Sequence, residues 1–144
     1  KVEVIACVAT GGIAIGALVA EELGLPFIYI RSAAKGHGLK NLIEGEVPTD
    51  KNVVVVEDLI STGGSSLNAV AALKQENCNV LGMVAIFTYG FETAIENFKT
   101  AKCGLVTLSD YNTLIKTAES DSFISAKDVA SLSEWRKDPA GWKK

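Results

Sequence analysis

The chain has little cysteine, a single histidine and no long apolar run. Its three cysteines, Cys7, Cys78 and Cys103, are an odd number without paired spacing, and His37 is the one histidine. A structural zinc site, which needs four such ligands in close pairs, is therefore excluded. The thiols are expected to be small, buried or half-buried side chains in a reducing cytoplasm. No stretch reaches the roughly 18 apolar residues that mark a membrane span; the strongest run, Val53 to Val56, is strand-sized. Lys1-Val-Glu-Val opens directly in strand-like sequence, so no signal peptide is expected. Clustered Lys and Arg are also missing, and the net charge is −3, which argues against a sequence-independent nucleic-acid binder. Neither an internal repeat nor a low-complexity segment interrupts the chain.

What remains is an ordinary globular balance, with 48% hydrophobic and 22% charged residues in 144. That length argues for a single domain over residues 1–144, ending in a C-terminal helix and tail at 125–144. Strand-like runs alternate with helix-like ones. Residues 2–9 are rich in β-branched side chains and stop at Thr10-Gly11-Gly12; residues 13–23 have helical composition, with Gly24 as a C-terminal stop. Phe27 to Ile30 reads as a second strand. From Arg31 to Pro48 the periodicity is lost, so a long loop or loose hairpin is expected. Asn52 to Glu57 reads as a strand buried on both faces. A helix is expected over 66–76, a strand over 80–89, a helix over 92–101 and a strand over 105–108. A further helix starts at Asp110 or Asn112, and the last opens on a capping box at Ser125 and Asp128. The alternation predicts an α/β fold, a mostly parallel twisted sheet flanked by helices. Such sheets bind ligands at the carboxyl ends of their strands, where the glycine-rich breaks after Ala9 and Asp58 fall.

Residues 53–66, VVVVEDLISTGGSS, carry the most chemistry. A buried strand delivers the acid pair Glu57 and Asp58 at its end, and a Ser-Thr-Gly-Gly-Ser turn opens a helix. Glycines admit a phosphate close to backbone amides, the hydroxyls of Ser61, Thr62, Ser65 and Ser66 add donors, and the helix N-terminus adds partial positive charge. The acids would repel that phosphate unless they face the hydroxyls of a sugar attached to it, with Mg²⁺ nearby. The pattern has neither the lysine of a Walker loop nor the spacing of a dinucleotide fingerprint. A second constellation, Arg31-Ser-Ala-Ala-Lys35-Gly-His37-Gly38, spaces three cationic or potentially cationic groups among small residues, as a mobile clamp on a leaving diphosphate would require.

The segment 53–66 resembles the signature of the type I phosphoribosyltransferases, which bind 5-phosphoribosyl 1-diphosphate (PRPP). The resemblance assigns Glu57 and Asp58 to the ribose hydroxyls, and Leu59, Ile60, Ser61, Thr62, Gly63, Gly64 and Ser65 to the loop around the 5-phosphate. The Arg31-x-x-x-Lys35-x-His37-Gly38 pattern resembles the catalytic loop of the orotate enzymes. It implies that Arg31, Lys35 and His37 act on the diphosphate across the interface of a homodimer. Thr10, Gly11 and Gly12 resemble the diphosphate loop, and Tyr89 with Ser61 falls at the base site. Implied with these are PRPP and orotate as substrates, Mg²⁺ near Glu57 and Asp58 as cofactor, Asp58 beside the reacting centre, and a family N-terminal segment lying outside this sequence. The chain departs from the family pattern at Ser32 and Gly11, where lysines are common, and at Tyr89, where many orotate enzymes carry arginine. Two other readings stand beside this one: a phosphoribosyltransferase for a purine or uracil, and a non-catalytic PRPP-sensing regulator of the same fold.

Overall fold

In the computed structural model, which describes residues 1–31 and 42–142, the chain forms two compact units, 1–108 and 109–144. The first holds strands β1 (Val4–Val8), β2 (Phe27–Ile30), β3 (Ile43–Glu44), β4 (Asn52–Ile60), β5 (Asn79–Thr88) and the start of β6 (Leu105–Asp110). Its helices are α1 (Gly12–Leu23), α2 (Gly64–Gln75) and α3 (Glu92–Thr100). The second holds α4 (Tyr111–Ser120) and α5 (Ala126–Lys137). The sheet order is β3-β2-β1-β4-β5-β6. β1 pairs in parallel with both β2 and β4, β4 pairs in parallel with β5, and β3 is antiparallel to β2.

Alternation along the strands builds two cores. Val4, Ala6, Val53 and Val55 pack with Val70 and Leu73 of α2 and Phe98 of α3, whereas Ile5, Cys7 and Val56 pack with Ala20 of α1. Each face of the parallel strands is thus covered by helix, as the four consecutive valines require. α1 ends at Gly24, whose left-handed φ of 61° lets its amide close back on Ala20 and Glu21. The capping box read at α5 forms, and of the two starts offered for α4 it is Asp110 that caps the helix. Asp110 accepts from the Thr113 amide at the start of α4, and Ser125 and Asp128 cap α5 reciprocally.

The topology sets the site. From β1 the chain passes through α1 to β2 on one side; from β4 it passes through α2 to β5 on the other. The carboxyl ends of β1 and β4 are adjacent, with Cys7 opposite Val56, so the two glycine loops flank the point where the winding reverses.

Of the long loop or loose hairpin expected over 31–48, the hairpin is what β3 makes, pairing antiparallel with Tyr29 and Ile30 of β2. Two local readings are corrected. β4 runs through the acid pair to Ile60, because Leu59 and Ile60 continue the ladder opposite Phe87 and Thr88. Glu57 and Asp58 therefore lie inside the strand and not at its end. α2 begins at Gly64, two residues earlier than the pattern suggested.

Candidate functional site

The turn after β4 presents donors that the protein does not use. Gly63 takes φ 81°, a left-handed conformation that turns the chain into α2, and its carbonyl accepts the first helical bond from Leu67. Among the described residues no protein acceptor meets the amides of Thr62, Gly63, Gly64, Ser65 or Ser66. Ser61, Thr62, Gly64 and Ser65 are exposed. A helix N-terminus whose first amides lack a protein acceptor is suited to an anion.

Two residues of α3 fix this turn, and neither was marked by any local pattern. Asn97 Nδ2 donates to the Thr62 carbonyl at 3.0 Å, and the Phe98 ring lies under Gly63. The signal for them is tertiary, since α3 must pack beside α2 before either residue meets the turn.

The acid pair is divided between two neighbours. Glu57 is buried; its Oε2 accepts from Ser66 Oγ at 2.9 Å and its Oε1 from the Asp58 amide at 3.1 Å. Asp58 is half-buried, its Oδ1 accepts from the Leu59 amide at 2.9 Å, and its carboxylate lies against Gly11 of the first loop. The Ser66 hydroxyl was expected to be a phosphate donor. It is buried and held by Glu57 instead, because it sits on the inner side of the first turn of α2.

Burial pushes the Glu57 carboxyl up to about 7, with the adjacent Asp58 carboxyl adding to the rise and the Ser66 hydroxyl and Asp58 amide opposing it. The folded state therefore holds this proton more tightly than the unfolded chain, whose carboxyl keeps the ordinary 4.5. Stability contributed by Glu57 is greatest below about 4.5 and falls as pH rises through about 7. Urea unfolding at pH 5 and pH 8 should show the unaltered chain losing on the order of 1–3 kcal/mol relative to Glu57→Gln. A gap between the two that does not change with pH would refute the shift.

The first loop is built alike. Ala9 donates to the Ile30 carbonyl at 2.8 Å, the Ala9–Thr10 peptide is cis, and Ile13 donates to the Thr10 carbonyl at 3.2 Å. The amides of Thr10, Gly11 and Gly12 meet no protein acceptor among the described residues. They open α1, as the Gly63–Ser66 amides open α2.

Arg31 closes β2. Its amide donates to the Leu42 carbonyl and its guanidinium pairs with Glu44 Oε1 at 3.2 Å. Lys35, His37 and Gly38 lie outside the described residues, as does Ser32. Tyr89, at the end of β5, donates its amide to the Ile60 carbonyl at 3.0 Å. Its ring stacks on Phe91 at 5.4 Å and meets the edge of Phe87. This places a flat aromatic group beside the end of β4, next to the turn that begins at Ser61. A groove of about 330 Å³ on the α1 side of the sheet is lined by Ile5, Val54, Val56, Val84 and Ile86 and reaches Glu57 at one point. Its walls are otherwise apolar.

The three cysteines are free and buried, and burial pushes the Cys7 thiol up to about 12, with Glu57 adding to the rise. No helix among the described residues is long and apolar enough to cross a membrane.

The family model of the phosphoribosyl transferase domain matches residues 1–119. An orotate phosphoribosyltransferase of Phocaeicola vulgatus is 59% identical over 142 residues, covering 99% of this chain and 67% of its own length. One of Staphylococcus aureus is 54% identical over 136 residues, covering 94% of this chain and 67% of its own. The crystal structure of orotate phosphoribosyltransferase from Aeropyrum pernix superposes with a TM-score of 0.74 at 29% identity, over 87% of this chain and 68% of that one.

Proposed function

This chain belongs to the phosphoribosyl transferase domain family, and from that membership together with the open amides after β4 we propose that it is an orotate phosphoribosyltransferase. It would transfer the 5-phosphoribosyl group from PRPP to orotate, giving orotidine 5′-monophosphate and diphosphate, a step of pyrimidine synthesis. The observation that carries the reading is the row of unengaged amides from Thr62 to Ser66, set beside the strand that bears two acids.

Each part of PRPP has a counterpart. The amides from Thr62 to Ser66 and the hydroxyls of Ser61, Thr62 and Ser65 suit the 5-phosphate. Asp58 and Glu57, a few residues before that cradle, suit the ribose hydroxyls. The amides of Thr10, Gly11 and Gly12 suit one phosphate of the diphosphate. The bond from ribose C1 to the diphosphate oxygen breaks, the oxygen keeps the electron pair, orotate N1 bonds to C1 from the opposite face, and the proton that N1 gives up passes to the departing diphosphate or to water. No protein nucleophile is needed, so catalysis is positioning and stabilisation of charge. Arg31, Lys35 and His37 are proposed to act on the departing diphosphate, across a homodimer interface. For Arg31 this means exchanging Glu44 for the substrate.

Among the described residues no three His, Cys, Asp or Glu side chains gather into a metal cage. The donor set fits a Mg²⁺ held largely by substrate oxygens and water, with Asp58 and Glu57 nearby or reaching it through water, as is usual beside phosphates. When bound, the ion would neutralise charge on the diphosphate. The free, buried thiols suit a cytoplasmic setting.

The test is turnover of a base panel with PRPP and Mg²⁺. Orotate should be converted at least about a hundredfold better than adenine or uracil, in line with a site whose polar groups go unpaired by the wrong base. Conversion of another base in its place would reassign the substrate. PRPP binding with no product from any base would mark a sensor.

A further inference from the structure

The contact between Ser66 and Glu57 joins the two halves of the proposed PRPP site. Ser66 is the third residue of α2, the helix whose opening amides form the phosphate cradle, and Glu57 lies in β4 nine residues earlier. Both side chains are nearly inaccessible, at 2% and 5% exposure. The hydroxyl proton goes to Glu57 Oε2 at 2.9 Å, and the other carboxylate oxygen is met by the Asp58 amide at 3.1 Å. A buried carboxylate with a donor on each oxygen is held in one orientation. Without Ser66 it would keep a single main-chain donor and could rotate or draw in water. Ser65, one residue earlier, is exposed; only the inward-facing serine of the pair reaches the strand.

We propose that Ser66 is a positioning residue, holding Glu57 in the orientation that meets the ribose and fixing it relative to the helix N-terminus that receives the 5-phosphate. The proposal rests on the PRPP reading above. Ser66 acts through Glu57 and touches no substrate atom. The distance between the two recognition points of a ribose 5-phosphate is then set by a side-chain bond as well as by the backbone.

The experiment is a double-variant cycle on PRPP binding in the presence of Mg²⁺, by calorimetry, with thermal midpoints measured in parallel. At pH 8, where Glu57 is ionised, Ser66→Ala should weaken PRPP binding about tenfold, the size expected for a lost hydrogen bond to a charged group. In steady state it should raise the PRPP KM more than it lowers kcat and leave the orotate KM unchanged. Ser66→Thr, which keeps the hydroxyl, should restore binding to within about threefold of the unaltered chain. In a Glu57→Ala background, Ser66→Ala should add almost nothing, because its effect runs through the missing carboxylate. Multiplying effects in the cycle, a Ser66→Ala chain that binds as the unaltered one does, or a failure of threonine to restore binding would each overturn the proposal. If the unaltered chain binds no PRPP, the functional reading fails and this proposal with it. Binding by the unaltered chain with an indifferent Ser66→Ala variant sinks the positioning role alone.

Discussion

Gly63→Ala is expected to destabilise the chain by about 2–5 kcal/mol and to abolish measurable PRPP binding. Two penalties coincide at this position. The backbone sits at φ 81°, where a side chain adds strain of about 1–2 kcal/mol. A Cβ built there would also lie 2.7 Å from Phe98 Cε2 and 3.2 Å from Cδ2. The ring is buried in the core between α2 and α3 and has little room to retreat, so overpacking adds about 1–3 kcal/mol. Relief in either direction moves the site. If the turn lifts, the amides from Thr62 to Ser66 leave their places; if Phe98 shifts, so does its neighbour Asn97, which holds the Thr62 carbonyl. Gly64→Ala is the control, since its nearest neighbour would be Thr62 Oγ1 at 4.0 Å. It should change stability by no more than about 0.5 kcal/mol. Phe98→Leu in the Gly63→Ala chain should recover the part due to the clash and leave the part due to backbone strain. A Gly63→Ala chain with unaltered urea midpoint and PRPP affinity would show that the turn is softer than this geometry allows.

Which parts of this architecture the sequence reveals follows from the range of the forces involved. The two strand–glycine–helix passages at 4–12 and 52–64 are legible because each signal is contiguous: an apolar run, then glycines, then helical composition. The caps at Asp110 and at Ser125 with Asp128 are legible for the same reason, since partner and cap lie three residues apart. β3 is not legible. Two residues carry no period, and the strand exists only because β2 offers it an edge. The continuation of β4 through an acid pair is hidden as well; two carboxylates read as a strand end, while the ladder to Phe87 and Thr88 is made by β5. The residues 53–66 suggest a phosphate site with an acid pair, and the geometry adds that the amides from Thr62 to Ser66 meet no protein acceptor among the described residues. They do not say which serine faces inward. Ser65 and Ser66 are chemically alike, and the helix phase that buries one and exposes the other is set by Val70 and Leu73 entering the core. The pairing of Arg31 with Glu44 is equally remote, arising from the hairpin that β2 and β3 form.

The second large effect is expected at Gly11, and its cause differs from that at Gly63. Gly11 has φ −61° and ψ −38°, a conformation open to any residue, so alanine adds no backbone strain there. The obstacle is Asp58: a Cβ on Gly11 would fall inside its carboxylate. Gly11→Ala must therefore displace either the first loop or the acid, and both belong to the proposed site. The expected loss in kcat/KM for PRPP is about 10²-fold or more, typical of a misplaced group at a centre that works by positioning and charge. Asp58→Ala alone should lose about 10²–10³-fold, since it removes a carboxylate proposed to grip the sugar. The combination decides the cause. With the carboxylate gone, Gly11→Ala has nothing to collide with, so the double variant should be no worse than Asp58→Ala alone. Losses that multiply would mean that alanine at 11 harms the loop by some route other than Asp58. Thermal midpoints separate the two glycines further. Gly11 is exposed and its obstacle is a half-buried side chain, so Gly11→Ala should unfold close to the unaltered chain, whereas Gly63→Ala should not. One variant then loses activity with its fold intact, and the other loses both, because the first loop meets the site through a side chain and the second is itself the start of a core helix.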